Sequence, residues 1–389
     1  MLNKFKTTLV LIGKKQFLPA DTDIKNVELK KLAKRLEGNS EKETLTNILE
    51  WQDRNVLGWV DRMYMFPILY ILLITSFCLL PINSPIKEIV SLIFVVMCFV
   101  NLMVVLSYFL PLIGLIILLF SWLFSINPLQ VQKTVSISSL ILLSIMFGAL
   151  TILLIFLLLK YRSIKSKIPD FKLEDTFKLS LSVSKILKYK LAVCRDYAKL
   201  TASLLFSIYP NSKVYFLTIP RYVAVAVKTK NDYYVLDQKL PVLTKNGWLN
   251  RWNRKNTDVY VSELILNSEG KPVGVDFKKH EKVSLFSEKV VNADELTKKV
   301  AEMLKIRQDS QKDNPYAEIP LKNFAIYYED DEITKYSLIR AIKNKLESEL
   351  CGNIDKVSKI EITQNENEKD VIIKVYFNSE PILRPSIAS

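Results

Sequence analysis

The chain has 389 residues, 49% of them apolar, and a formal net charge of +14. That length allows two domains or more. The positive excess comes without a basic run interleaved with aromatics and without a groove-reading motif, so it does not mark a nucleic-acid binder.

The chain opens on "MLNKFKTTLVLIGKK", whose apolar run is too short for the core of a secretory signal. Residues 24–62 read as helical. Leu29, Leu32, Ala33 and Leu36 recur at helical spacing, Gly38 reads as a C-cap, and Asn39-Ser40 open a second helix. These helices hold too little core to stand alone, so the N-terminal segment, 1–62, is expected to pack on a later domain.

Between 63 and 159 the charged residues are Lys87, Glu88 and Lys133 alone, whereas both flanks are dense in charge. This pattern predicts an inserted transmembrane block of four helices, at 64–82, 88–107, 110–126 and 137–159. The uncharged run from Ile89 to Ile126 would be about 57 Å long as one helix, nearly twice a hydrocarbon core of about 30 Å. It must fold back, and Pro111 with Gly114 is the expected break. An even number of spans puts both flanks on one side, and their excess of Lys and Arg makes that side the cytoplasm. The expectation is therefore a multi-pass cell-membrane protein with both termini cytoplasmic and the lipid bilayer as one partner.

Beyond the block, 160–300 carries a helix that begins near Cys194 and a run of strands, "KVYFLTI", "YVAVAVK" and "YYVLD", rich in β-branched and aromatic residues. After the polar stretch "KIRQDSQKDNP", residues 315–380 read as a small α+β unit. Its expected elements are a strand at "KNFAIYY", an amphipathic helix at "DEITKYSLIRAIKNKLESEL" and a hairpin of "KIEITQ" with "VIIKVYF".

The cysteines are Cys78, Cys98, Cys194 and Cys351, with no CxxC among them. A zinc site or a thioredoxin-like redox pair is not indicated, and a reducing compartment fits. No metal, nucleotide or haem motif occurs, so no cofactor is expected.

Cys194 stands just ahead of a helix that runs through "RDYAKLTASLLFSI", with Ala198, Leu200, Thr201, Leu204 and Leu205 as its apolar stripe. A thiol there meets free backbone donors and the positive end of the helix dipole, and both favour thiolate. The plainer reading is a small buried apolar side chain. Downstream, "YVAVAVKTKNDYYVLDQKLP" reads as a hairpin. A turn centred on Lys230 and Asn231 pairs Tyr222 with Lys239 and Ala224 with Asp237. Tyr222 and Asp237 then become diagonal neighbours on one face, within about 7 or 8 Å. Asp237 as a strand-end residue capping a turn is the alternative.

A cysteine at a helix start, followed by a strand pair bearing a histidine and an aspartate, is the order of the transglutaminase-like superfamily, which shares the papain-like Cys-His-Asp arrangement. The stretches "CRDYAKLTASLL" (194–205), "YFLTIPRYVAVAV" (215–227) and "YYVLDQKLP" (233–241) resemble that superfamily. So do the upstream "NILEWQDRNVLGW" and the later "YYEDDEITKYSLIRAI". The resemblance is closest to uncharacterised archaeal membrane proteins with a transglutaminase-like domain. It implies an α+β, papain-like fold in which the membrane block is inserted between the N-terminal helices and the cysteine helix. It also implies Cys194 as nucleophile and Asp237 as the orienting carboxylate.

The sequence departs from the pattern at one place. Tyr222 stands where the superfamily has its histidine. The sole histidine, His280, lies 43 residues beyond Asp237, out of order for the motif. A phenol with a pKa near 10 is a poor base for a thiol. Three functions stay open: a weakened or inactive transglutaminase-like domain that binds peptide or protein, an active cysteine protease, amidase or acyl transferase, and a structural membrane protein whose resemblance is architectural only. Substrate and oligomeric state are not readable.

Overall fold

A computed structural model describes residues 16–58, 159, 161–176, 178, 180–220, 222–228, 233–252, 257–283, 290–308, 316–364 and 369–378. The chain divides into two compact units, Met1–Gly58 with Ser180–Ser389 and Trp59–Leu179. In the second unit the described part is a helix over 161–167 and a helical turn at Leu173–Thr176. There Phe171 is buried against Tyr161, and the buried Asp175 pairs with Lys178 at 2.8 Å.

The first unit begins with α1 (Asp21–Ile24), α2 (Val27–Leu36) and α3 (Glu41–Asn55). Asn26 caps α2 by accepting from the Leu29 N–H, and the predicted stripe Leu29, Leu32, Ala33 and Leu36 is buried. Ser40 caps α3 by accepting from the Glu43 N–H, as the sequence predicts. Gly38 plays a different part from the expected one. Helix α2 closes at Glu37, and a Cβ on Gly38 would lie 2.6 Å from Cγ of Glu43. Close approach of that side chain, which caps the Asn39 N–H, selects the glycine.

Strand β1 (Leu57–Gly58) pairs in parallel with β2 (Leu191–Ala192), which follows α4 (Val183–Tyr189). Helix α5 (Cys194–Ile208) starts directly after β2. A six-stranded antiparallel sheet follows, built from β3 (Val214–Ile219), β4 (Tyr222–Lys228), β5 (Tyr233–Leu236), β6 (Leu243–Thr244), β7 (Thr257–Leu266) and β8 (Pro272–Val283). Its order is β6-β5-β4-β3-β7-β8. The register predicted for the β4–β5 hairpin is the one observed: Val225 faces Leu236 and Ala226 faces Val235. One sheet face carries Leu217, Ile219, Ala224, Ala226 and Val235, covered by Trp248 and Leu249 of α6 (Lys245–Arg251). Helix α5 packs on β3 and β4 and against α2.

The rest of this unit is α7 (Ala293–Leu304), β9 (Tyr316–Leu321), α8 (Glu332–Leu350), β10 (Val357–Gln364) and β11 (Val371–Phe377), with the sheet order β10-β11-β9. The expected helix and hairpin are present. The expected strand at 322–328 is not: β9 ends at Leu321, and Phe324–Tyr327 form a 3-10 turn. Asn323 adopts a left-handed φ of 55° and gives its N–H to Asp370, while Ala325 gives its N–H to the carbonyl of Lys369. Those two donors serve a turn, so the ladder cannot continue.

The fold class needs a larger correction. The structure is mixed α/β with several sheets, and among the described residues no helix is long and apolar enough to cross a membrane. The four spans predicted at 64–82, 88–107, 110–126 and 137–159 lie outside the described residues, save Leu159. An inserted transmembrane block is therefore not supported. The reading as a multi-pass cell-membrane protein with cytoplasmic termini, which depended on that block, is not supported either. Long apolar runs carry the same composition whether they cross lipid or not, and composition was the whole basis of that reading.

Candidate functional site

Helix α5 is fixed at its start by a buried carboxylate. Asp196 accepts from the N–H of Val193 at 3.1 Å and from the N–H of Leu181 at 2.9 Å. Lys199, one turn on, donates to the carbonyl of Leu181 at 3.1 Å. Asp23 of α1 holds the next residue but one, accepting from the Val183 N–H at 2.8 Å. On the far side Tyr197 donates to the carbonyl of Val56 at 2.6 Å, and Gln52 of α3 donates to Thr201 at 2.7 Å. Cys194 thus sits on a helix end clamped from both flanks.

The thiol is half-buried. Removal from water pushes its pKa above the ordinary thiol value, and the charge of Asp237 pushes the same way. The Arg195 guanidinium and the backbone N–H groups of Val223 and Arg195 oppose this without overcoming it. The helix end supplies the donors that the sequence promises, but burial outweighs them.

Tyr222 is the first residue of β4, and Asp237 directly follows β5, on the same sheet face. The phenol donates to Oδ1 of Asp237 at 2.5 Å and accepts from Nε2 of Gln238 at 2.6 Å. Nε1 of Trp248 donates to Oδ2 of Asp237 at 3.1 Å. The ring of Trp252 packs on Tyr222, tilted by 47°, with centroids 4.2 Å apart. Asp237 is 5% exposed, and burial raises its pKa against the pull of Arg251 and of the Tyr222, Trp248 and Trp252 donors. The Tyr222 phenol is driven far above its ordinary value by burial, then by the neighbouring Asp237 and Cys194. It stays protonated throughout the physiological range.

The structure therefore joins Tyr222 to Asp237 by a direct hydrogen bond and sets Cys194 within electrostatic reach of both. His280 is elsewhere. It stands on β8 opposite Tyr260, which is opposite Thr218, which is opposite Val223. Three strand spacings separate its backbone from that of β4, roughly 14 Å.

Sequence reading missed Gln238, Arg251, Trp248 and Trp252. The last two had a signal in "NGWLNRW", two tryptophans at i and i+4, which is one face of a short helix. Among the described residues no group of three or more His, Cys, Asp or Glu is placed to hold a metal ion.

Residues 152–265 match the transglutaminase-like domain family, a stretch that contains Cys194, Tyr222, Asp237 and both tryptophans. A UPF0252 protein of Methanocaldococcus jannaschii is 36% identical over 203 residues, covering 51% of this chain and 55% of that protein. A second, uncharacterized protein of the same organism is 45% identical over 64 residues, 16% of this chain and 89% of its own length. A UPF0252 protein of Archaeoglobus fulgidus is 27% identical over 112 residues, 27% of this chain and 35% of that one. The chain thus spans about half the length of the first of these relatives. No solved structure matches. The expected archaeal kinship is found; the membrane character attached to it is not.

Proposed function

Starting from a chain that carries a transglutaminase-like domain over residues 152–265, we propose that the Cys194–Tyr222–Asp237 corner binds a peptide segment of another protein without acyl transfer. Cysteine acyl transfer needs a base that takes the thiol proton and later returns it to the leaving group. The position for that base holds a phenol. Its one proton is given to Asp237 and its oxygen already accepts from Gln238. This double commitment is the observation that carries the proposal. Burial adds to it by holding the Cys194 thiol protonated. Loss of a general base typically costs about 10² to 10⁴ in rate.

What remains suits binding. The corner keeps backbone donors at the start of α5, a half-buried thiol and an exposed aromatic edge at Trp252. The test is Tyr222→His in the full chain, assayed for amide hydrolysis and for transfer to an added amine, beside peptide binding by the parent. The expected result is binding without turnover in the parent, with turnover appearing once an imidazole can both donate to Asp237 and accept from the thiol. Turnover by the parent that Cys194→Ala abolishes would overturn the proposal.

A further inference from the structure

Resting on that peptide-binding reading, we propose that the segment taken is acidic, with one aromatic or aliphatic side chain laid on Trp252 and flanking carboxylates held by Arg251 and Lys239. Trp252 closes α6 and stays 37% exposed, although its ring packs against Tyr222. Trp248, one turn earlier, is fully buried and hydrogen-bonded to Asp237. Both indoles serve Asp237, but only that of Trp252 also reaches the surface, held against Tyr222. A fixed, exposed aromatic ring costs little entropy to use and is a typical anchor surface.

Cations lie in the same corner. Arg251 is its chain neighbour, with Nη1 3.4 Å from the carbonyl of Lys239 and its guanidinium 5.7 Å from the ring centroid of Tyr327. Lys239 has a side chain 63% exposed, 3.7 Å from Asp53. Arg195 is a third cation, beside the thiol. The nearby carboxylates are engaged: Asp237 is 5% exposed and accepts from Tyr222 and Trp248, Glu329 accepts from Thr244 at the start of α6, and Asp53 lies beside Lys239. Arg251 and the exposed Lys239 therefore set positive charge beside the anchor surface, on a chain whose net charge is already +14. Such complementarity selects among partners more than it adds raw affinity, and it weakens with salt.

Three fluorescein-labelled peptides of equal length test this against the full chain by anisotropy. Each has one central phenylalanine, flanked by glutamate, serine or lysine. The glutamate peptide is expected to bind at least roughly tenfold tighter than the serine one, with the lysine peptide weakest and the gap closing as salt rises. Arg251→Gln and Lys239→Gln should lower the glutamate peptide to the serine level, and Trp252→Ala should weaken all three. Equal affinity for the glutamate and serine peptides would overturn the acidic preference and leave the binding reading standing. Unchanged binding in Trp252→Ala would overturn the anchor. No binding of any of the three would sink the binding reading itself, and this inference with it.

Discussion

Two buried aspartates flank Cys194, and they do opposite work. Asp196 is one turn into α5, fully buried, and accepts from the main chain at Val193 and Leu181. Asp237 lies past the end of β5 and accepts from the side chains of Tyr222 and Trp248. Backbone donors belong to the fold whatever the side chains are, so Asp196 reads as part of the scaffold. Side-chain donors were placed there by particular residues, so Asp237 reads as part of a site. Burial of a carboxylate is thus no guide to function until its donors are named.

The contrast can be broken most forcibly at Asp196. Asp196→Ala strands two buried N–H groups, and each such loss costs about 1–3 kcal/mol. Urea unfolding should show a loss of roughly 2–5 kcal/mol. A loss no larger than that of a surface variant would remove the distinction between the two carboxylates.

Asp237→Asn should cost less, about 1–3 kcal/mol, because the amide oxygen still accepts one donor. Its signature lies in pH dependence. The folded pKa of Asp237 is raised above the unfolded value of 3.8, so the folded state holds the proton more tightly. The parent therefore loses stability as pH rises from 3.8 through the folded pKa, relative to the Asn variant. Removing this charge also removes one of the influences that raise the Cys194 pKa, so the thiol should titrate lower in the variant. Unfolding curves at several pH values and alkylation rates check the two signs separately.

Tyr222→Phe sharpens the comparison further. It deprives Asp237 and Gln238 of a partner each, for a cost of about 1–2 kcal/mol by denaturant unfolding. If the phenol is not a base, the pH profile of Cys194 alkylation keeps its midpoint. The smallest effect is expected from Lys239→Gln, which removes an exposed pair with Asp53 and should change stability by less than about 1 kcal/mol.

Much of this geometry was legible before any coordinates. The turn centre at Lys230 and Asn231 set the β4–β5 register, and the register set Tyr222 beside Asp237 on one face. That worked because strand side chains alternate with a period of two, so one correct pairing places the rest. That a helix begins near Cys194 was legible from its apolar stripe, and the structure makes Cys194 its first residue. What was not legible depended on partners remote in sequence. Trp248 reaches Asp237 only because α6 folds back under the sheet, and no local pattern encodes that return. The strand expected at 322–328 has the right residues, but Asp370 and Lys369 claim its donors for a turn. The dipole argument for an activated thiol counted the helix end and not the desolvation that outweighs it. The transmembrane block was read from composition alone and is not supported.

The account stands on the Tyr222 hydroxyl being spoken for and the Cys194 thiol being left without a base. The rate of Cys194 alkylation against pH, followed peptide by peptide so that Cys351 serves as the internal exposed thiol, tests this most directly. The account predicts a midpoint above the ordinary thiol value for Cys194. A thiol that reacts at full rate in neutral or mildly acidic solution would contradict it.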